Sequence, residues 1–351
     1  MKTDSQKNVS SLDYTIEHLS ILRITAIWAF SESAFGGILH ALSIPLRGIF
    51  ISSAAVLFIS TIALFSRSNK EILKATVIVI LIKAIVSPHS PLAAYFAVSL
   101  QGMLGFLLFS SKKFFRLSSL LLGIFVLLFS GLQKIIILTI VFGNNLWESL
   151  NLFIVQVTSE IFKINNLDIN YGYILVGAYI FLHLLAGFFI GNYAGKLPEK
   201  VRYYNKIIPT SIENKSVEDI SIKEKRKKRV WILRPTGILI ILLSTGVILF
   251  SYVSPELESN TAISVIIMLI RAMAITFLWY VLLAPLAMKL FQKFVSKRKS
   301  KYSKDVEEII SMFPKFRKFV NYCWQLSDNK NGLKRISYFL STSFYYLLLS
   351  R

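Results

Sequence analysis

Eight long apolar runs, separated by short polar connections, constrain the fold of this chain more than any other feature. A bilayer core of ~30 Å needs about 20 apolar residues per helix, and 54% of the 351 residues are hydrophobic against 17% charged. This pattern predicts an all-α polytopic membrane protein. We expect spans near 19–39, 46–66, 72–87, 91–110, 117–142, 171–194, 235–253 and 262–288.

The charges of the connections alternate along the chain. Connections after the second, fourth, sixth and eighth spans are rich in Lys and Arg, whereas the others are poor in both apart from Arg47. The positive-inside rule then places both termini in the cytoplasm and the chain in the cytoplasmic membrane. The net charge of +21 therefore indicates topology signals and contacts with anionic lipid rather than a nucleic-acid partner.

Charge runs and polarity divide the predicted chain into five parts. They are a cytoplasmic tail at 1–18, a six-span unit at 19–195, a basic linker at 196–232, a two-span unit at 233–290 and a cytoplasmic, membrane-associated helical tail at 291–351. The final tail has the pattern of helices that lie along the inner membrane face or dock on a partner, and both interpretations stay open. The 143–170 connection is predicted as an amphipathic helix on the outer surface, either a cover for an opening there or a plain surface helix.

Polar side chains interrupt several spans in their outer halves. Counting ~1.5 Å per residue puts six of them roughly 6 to 15 Å below the outer surface. Because a charge at such depth is costly, these residues predict a polar chamber that opens outward and binds substrate. Its candidate residues are Glu32, Lys83, Gln101, Gln133, Lys134 and Arg271, with His40 and His89 at the outer mouth.

The same residues have structural interpretations. Glu32 could form a structural ion pair with Lys134 or Arg271, and Lys83 is shallow enough to extend to the surface. Two histidines and one acid make a weak metal signal, and no metal or other cofactor is expected. His183 is predicted to be a packed, hydrogen-bonded histidine.

Small residues recur at four-residue spacing on two spans. Gly187, Gly191 and Gly195 share one face of the sixth span, and Ala29 and Ser33 form a smaller face on the first. Such faces allow another helix to approach closely. Packing inside the chain is the simpler interpretation, and a sliding surface for a partner helix is the alternative.

Motifs of soluble enzymes are absent from the sequence. There is no P-loop, HExxH or GxSxG pattern, and the one cysteine, Cys323, excludes an intramolecular disulfide. We expect no enzymatic activity. A membrane enzyme using Glu32 and His40 is a third class of function, supported only by their position eight residues apart on roughly one helix face.

The stretches "AFSESAFGGILHALSIP" and "IVSPHSPLAAYFAVSLQGMLG", with the glycine-bearing sixth span, resemble the substrate-capturing S subunits of energy-coupling-factor importers. The resemblance covers about 20–195, with Ala29-xxx-Ser33 in place of the small-residue motif of that family's first helix. The later stretches "RPTGILIILL" and "IRAMAITFLWYVLLAPLAMKLFQKF" resemble a fragment of the family's T (scaffold) subunit.

This resemblance implies a membrane subunit of an importer. The six-span unit would bind a small anionic or zwitterionic substrate from outside, and a T subunit and ATPases on separate chains would drive its release. The rival hypothesis is a scaffold without transport activity, whose basic loops and tail recruit cytoplasmic partners or anionic lipid.

Overall fold

The computed structural model describes residues 19–42, 46–88, 90–162, 170–205 and 261–349. These residues are almost entirely helical and contain no strand. Outside the described residues lie the predicted tail at 1–18, residues 206–232 of the linker, the predicted span near 235–253 and the side chains of His40 and His89. The chain is thus an all-α membrane protein, as the apolar runs predicted.

Four helices with short breaks form the first part of the described chain. They are α1 (residues 19–41, including a π-helical turn at Ser31–Phe35), α2 (Arg47–Phe65), α3 (Lys70–Val86) and α4 (Leu92–Leu108). Their ends coincide with residues that disfavour helix. Ser66 has an extended backbone after α2, and Pro91, also extended, stands immediately before α4.

The middle of the described chain holds two long helices and two shorter ones. They are α5 (Phe115–Phe142), α6 (Asn145–Phe162), α7 (Tyr171–Gly195) and α8 (Leu197–Asn205). Gly143, with φ of 74°, separates α5 from α6 in a backbone conformation that glycine adopts without strain. The predicted amphipathic helix is α6.

The last part of the described chain is also helical. It contains α9 (Thr261–Leu278), a π-helical turn at Trp279–Leu283 and α10 (Ala284–Lys301), which form one continuous helix. A hairpin follows, made of α11 (Ser303–Leu326) and α12 (Gly332–Leu349). Four helical segments of the described chain are long and apolar enough to cross a membrane: Arg47–Phe65, Phe115–Phe142, Tyr171–Gly195 and Val265–Lys301.

Contacts between residues divide the chain into two compact units. Unit 1 comprises Met1–Leu127, Leu184–Ile220 and Phe294–Arg351, and unit 2 comprises Leu128–His183 and Ser221–Lys293. The division therefore falls within α5, α7 and α10. Contacts between segments that are distant in sequence define these units.

The core of unit 1 lies among α1 to α4. Its largest fully buried side chains include Trp28, Ile59, Ile78 and Leu81. The α3–α4 pair is close because α4 presents glycines to α3: a Cβ on Gly102 would lie 2.0 Å from Oγ1 of Thr76. This close approach places one face of α4 directly against α3.

The tail helices α11 and α12 belong to unit 1 and pack on its first helices. Nζ of Lys74 on α3 lies 3.2 Å from a carboxylate oxygen of Asp305, and the rings of Phe30 and Phe313 are 5.9 Å apart. Val306 and Ile309 are buried in the first turns of α11. The tail thus has a docking partner that the sequence did not suggest, namely helices of its own chain.

Candidate functional site

The most unusual feature of unit 1 is an ion pair in its core. Nζ of Lys83 on α3 lies 2.8 Å from Oε2 of Glu32 on α1, and the two side chains are 6% and 3% exposed. Both residues come from segments predicted to cross a membrane, so water screens this pair little. A buried ion pair costs several kcal/mol of desolvation per ion, which the attraction between the charges only partly offsets.

The backbone around Glu32 departs from regular α-helix. Ser31–Phe35 form a π-helical turn, and Gly36 follows it with its N–H directed to the carbonyl oxygen of Ser31. Ser33 in the same turn donates a hydrogen bond of 2.6 Å to the carbonyl oxygen of Ala29. Single π-helical turns inside α-helices are frequent at functional sites.

Two buried polar atoms on α1 lack hydrogen-bond partners among the described residues. They are Oε1 of Glu32, the carboxylate oxygen that Lys83 does not contact, and Nε1 of Trp28. Trp28 precedes Glu32 by four residues, so the two side chains are neighbours along one face of α1. One unpaired acceptor thus belongs to the ion pair itself, and one unpaired donor lies about one turn away on the same helix. Such orphaned groups call for a ligand, a water or a strained site as their explanation.

Trp28 is the residue of this group that the sequence analysis missed. A tryptophan in an apolar run is usually a core residue, and the ring of Trp28 is fully buried. The available signal was its spacing, because residues four apart on a helix lie side by side and Glu32 was already a candidate.

The partner of Glu32 differs from the partners considered in the sequence analysis. The sequence suggested Lys134 or Arg271 as the ion-pair partner, and it left Lys83 either lining the chamber or extending to the membrane surface. Lys83 is instead 5% exposed and directed to Glu32. A count of residues along a helix gives the depth of a side chain but not its direction, and direction decided this pairing.

Gln101 lies on α4, which packs against the helix of Lys83, but at a different level along the bundle. It is buried on α4, and its Oε1 has no hydrogen-bond partner among the described residues. Gly102 marks the level of Thr76 on α3. Lys83 is seven residues beyond Thr76, so the two levels differ by roughly 10 Å. Gln101 is therefore on a helix adjacent to α3, but it lies too far along that helix to contact the Glu32–Lys83 pair.

The other predicted substrate residues with described side chains belong to unit 2. Lys134 on α5 is exposed, with Nζ 5.7 Å from the ring centroid of Tyr179 on α7. Gln133, beside it, is half-buried. Arg271 on α9 is 3% exposed, and its guanidinium fills the space beside Gly143, where a Cβ would lie 2.0 Å from Nη1.

Arg271 lies beside the C-terminal end of α5, next to Gly143. Gly143 donates its N–H to the carbonyl oxygen of Thr139 at that helix end. A cation at a helix C-terminus is favoured by the helix dipole. The position of Arg271 thus has a structural explanation within unit 2.

His183 has the packed position that the sequence predicted. It is fully buried in unit 2, and its Nδ1 lies 2.9 Å from the carbonyl oxygen of Tyr179. The Cβ position of Gly131 is 3.0 Å from the imidazole, so the ring fills the space that this glycine leaves. Nε2 has no hydrogen-bond partner among the described residues. No group of three or more potential metal ligands occurs in the part of the chain that the structure describes.

The glycine face of α7 packs on α5 within unit 1. A Cβ on Gly187 would lie 2.6 Å from the carbonyl oxygen of Gly123, and one on Gly191 would lie 2.8 Å from Cα of Leu120. Gly195 meets Arg116 in the same way. Ala29 and Ser33, the small face of α1, are buried as well. In this structure the small-residue faces are therefore covered by the chain itself.

Comparison of the chain with protein families, curated proteins and solved structures finds no match.

Proposed function

We propose that the chain is a membrane subunit that captures a small polar solute at the Glu32–Lys83 pair, as the substrate-binding subunit of an importer of the energy-coupling-factor type. In this proposal the described helices and the stretch near 235–253 form six and two spans with cytoplasmic termini in the inner membrane. A scaffold subunit and ATPases on separate chains would be its partners. The observation that carries the proposal is the buried pair with its unpaired neighbouring atoms.

Stability alone gives little reason for such a pair. Replacing a buried ion pair by apolar residues of similar size is often neutral or stabilising, so its presence in a membrane core indicates another use. A π-helical turn adds an irregularity that a purely structural helix does not need. Both features occur at Glu32.

The expected solute is anionic or zwitterionic, and of these the chemistry of the pair favours a zwitterion. A ligand carboxylate can replace Glu32 at the ammonium group of Lys83, and a ligand ammonium can replace Lys83 at Glu32. A zwitterion exchanges both contacts at once and leaves no buried charge unpaired. The free Oε1 of Glu32 and Nε1 of Trp28 offer one further acceptor and one further donor.

Native mass spectrometry of the purified full chain in a mild detergent tests this proposal. We expect a bound small molecule in the wild-type protein and its loss from the Glu32→Gln and Lys83→Met variants. The control is Lys74→Met, which removes a lysine whose partner is Asp305 elsewhere in unit 1. Retention of the same small molecule by both site variants would refute the roles of these residues.

A scaffold without transport activity is the second candidate. The observation that favours it is that Glu32 and Lys83 pair with each other, as they would in a closed bundle. This candidate predicts that a double Glu32→Gln/Lys83→Met variant keeps every cellular function of the chain. Under the importer proposal the same variant folds but no longer supports uptake.

A further inference from the structure

The α11–α12 hairpin exposes a dense set of large apolar side chains at its closed end. We define the hairpin end as residues 320–340. Seven large apolar side chains in this range are 37% to 59% exposed, which is a large apolar surface for a small element. They are Val320, Tyr322, Trp324, Leu326, Ile336, Tyr338 and Leu340.

Contacts inside the hairpin fix the positions of several of these side chains. The rings of Trp324 and Phe339 meet edge to face at 5.1 Å, and those of Tyr322 and Tyr346 at 6.4 Å. Cys323 is fully buried. The exposed rings therefore belong to a packed pair of helices, and their outer surfaces are free for another contact.

Cations lie over the exposed rings. Cζ of Arg335 is 4.2 Å from the centroid of Trp324, and Nζ of Lys330 is 5.3 Å from that of Tyr338. Arg335 also pairs with Asp328. Residues 327–335 contain three bases (Lys330, Lys334 and Arg335) and one acid (Asp328), so their formal charge is 3 − 1 = +2.

The base of the hairpin is fixed beside a helix that is apolar enough to cross a membrane. Phe344 on α12 lies 6.3 Å from Phe58 on α2, measured between ring centroids. Tyr338 precedes Phe344 by six residues, or roughly 9 Å of helix. The hairpin end is thus within a few turns of a membrane-spanning segment of its own unit.

We infer that the hairpin end is a binding surface for the headgroup region of a bilayer that contains anionic lipid. Trp and Tyr side chains prefer this region, where their rings contact acyl chains and their polar atoms meet water. Lys and Arg beside them attract anionic headgroups, at about 1 kcal/mol per residue near the surface. A second copy of the chain fits less well, because two ends of charge +2 repel each other.

Tryptophan fluorescence of the full chain in nanodiscs tests the inference. The difference between the wild-type protein and Trp324→Phe isolates the emission of Trp324, and lipids with brominated acyl chains quench a tryptophan that enters the bilayer. We expect brominated lipid to quench Trp324, and phosphatidylglycerol to increase this quenching by about twofold or more.

Two sets of charge variants complete the test. The triple variant Lys330→Gln/Lys334→Gln/Arg335→Gln is expected to reduce quenching in phosphatidylglycerol discs to the level of pure phosphatidylcholine. The matched control removes three charges from α10 instead, at Lys297, Lys299 and Lys301, and is expected to leave the quenching of Trp324 unchanged.

Two results would overturn the inference. One is Trp324 emission that brominated lipid does not quench and that aqueous acrylamide quenches equally in discs and in detergent. The other is Trp324 shielded from both quenchers in discs that contain two copies of the chain, which would assign the surface to a second copy.

Discussion

Single residues decide the character of the site in unit 1. Glu32 was predicted to be buried, but its partner was not, because depth along a helix does not give direction. Lys83 is directed to Glu32 across the α1–α3 contact at 2.8 Å. The pair is therefore a consequence of how two helices are rotated toward each other.

Removing one member of the pair is expected to cost far more than removing both. Glu32→Gln or Lys83→Met leaves an uncompensated buried charge, which lowers the free energy of unfolding by about 3–5 kcal/mol. The double variant is expected to recover most of this loss. Thermal unfolding of the wild-type protein, the two single variants and the double variant in detergent measures this double-mutant cycle.

The partly exposed Lys74–Asp305 pair provides the control for that cycle. Its side chains are 27% and 19% exposed, so the Lys74→Met change is expected to cost about 1 kcal/mol or less. Equal costs at the two sites, or a double Glu32/Lys83 variant as unstable as the singles, would contradict a buried pair.

Gly143 is a second residue whose identity the structure explains. Its φ of 74° disfavours any residue with a Cβ, and a Cβ there would also meet the guanidinium of Arg271. Gly143→Ala is expected to lose about 1–2 kcal/mol for the backbone conformation, with a further loss for displacing Arg271. Gly332→Ala is the matched control, because Gly332 has φ of 58° but no atom within 4 Å of its Cβ position. Similar melting temperatures for the two variants would show that the Arg271 side chain moves away from the new methyl group without a loss of stability.

At the scale of elements, the glycines of α7 set its distance from α5. The sequence predicted a small-residue face, and its partner within the chain is α5. The spacing of the glycines is compatible with close packing against any helix that has small residues at the contact. The pairing therefore came from the fold and not from the spacing of the glycines.

Gly191→Ala tests this helix contact. The new methyl group would lie 2.8 Å from backbone atoms of Leu120 and Ser119, which cannot move independently of α5. We expect a loss of about 1–3 kcal/mol in the free energy of unfolding. Gly177→Ala on the same helix meets nothing within 4 Å and is expected to be neutral or stabilising, since alanine favours helix. Chemical denaturation of both variants compares them.

The reactivity of Cys323 measures whether the α11–α12 hairpin is packed. It is fully buried, and burial raises the pKa of its thiol above the usual value. The reactive thiolate is therefore scarce near neutral pH and forms at higher pH than in the unfolded chain. We expect slow maleimide labelling of the folded protein and rapid labelling after denaturation. Rapid labelling of the folded protein would contradict the packed hairpin.

At the scale of the whole molecule, segments far apart in the sequence form unit 1. The tail after residue 302 packs on α1, α2 and α3 through Phe313, Phe344 and the Lys74–Asp305 pair. Contacts across more than 200 residues leave no local trace in a single sequence.

Truncation after Tyr302 tests the role of the tail in unit 1. Loss of α11 uncovers Phe30 and the inner turns of α3, so we expect a lower melting temperature and faster hydrogen exchange in Ile72–Val79. The amides of α9, in unit 2, are expected to exchange as before and serve as the control. Unchanged exchange in α3 would show that the tail docks without stabilising the unit.

The sequence by itself determined that this is an all-α membrane protein, because the length and apolarity of a helix that can enter a bilayer are local properties of the chain. It also marked Glu32 as a polar group that needs protein around it. Only the tertiary structure decided that Lys83 pairs with Glu32, that α5 covers the glycines of α7, and that the tail rests on α1 and α3. Each of these depends on how helices are rotated and which of them are adjacent, and the spacing of residues along one helix leaves both undetermined.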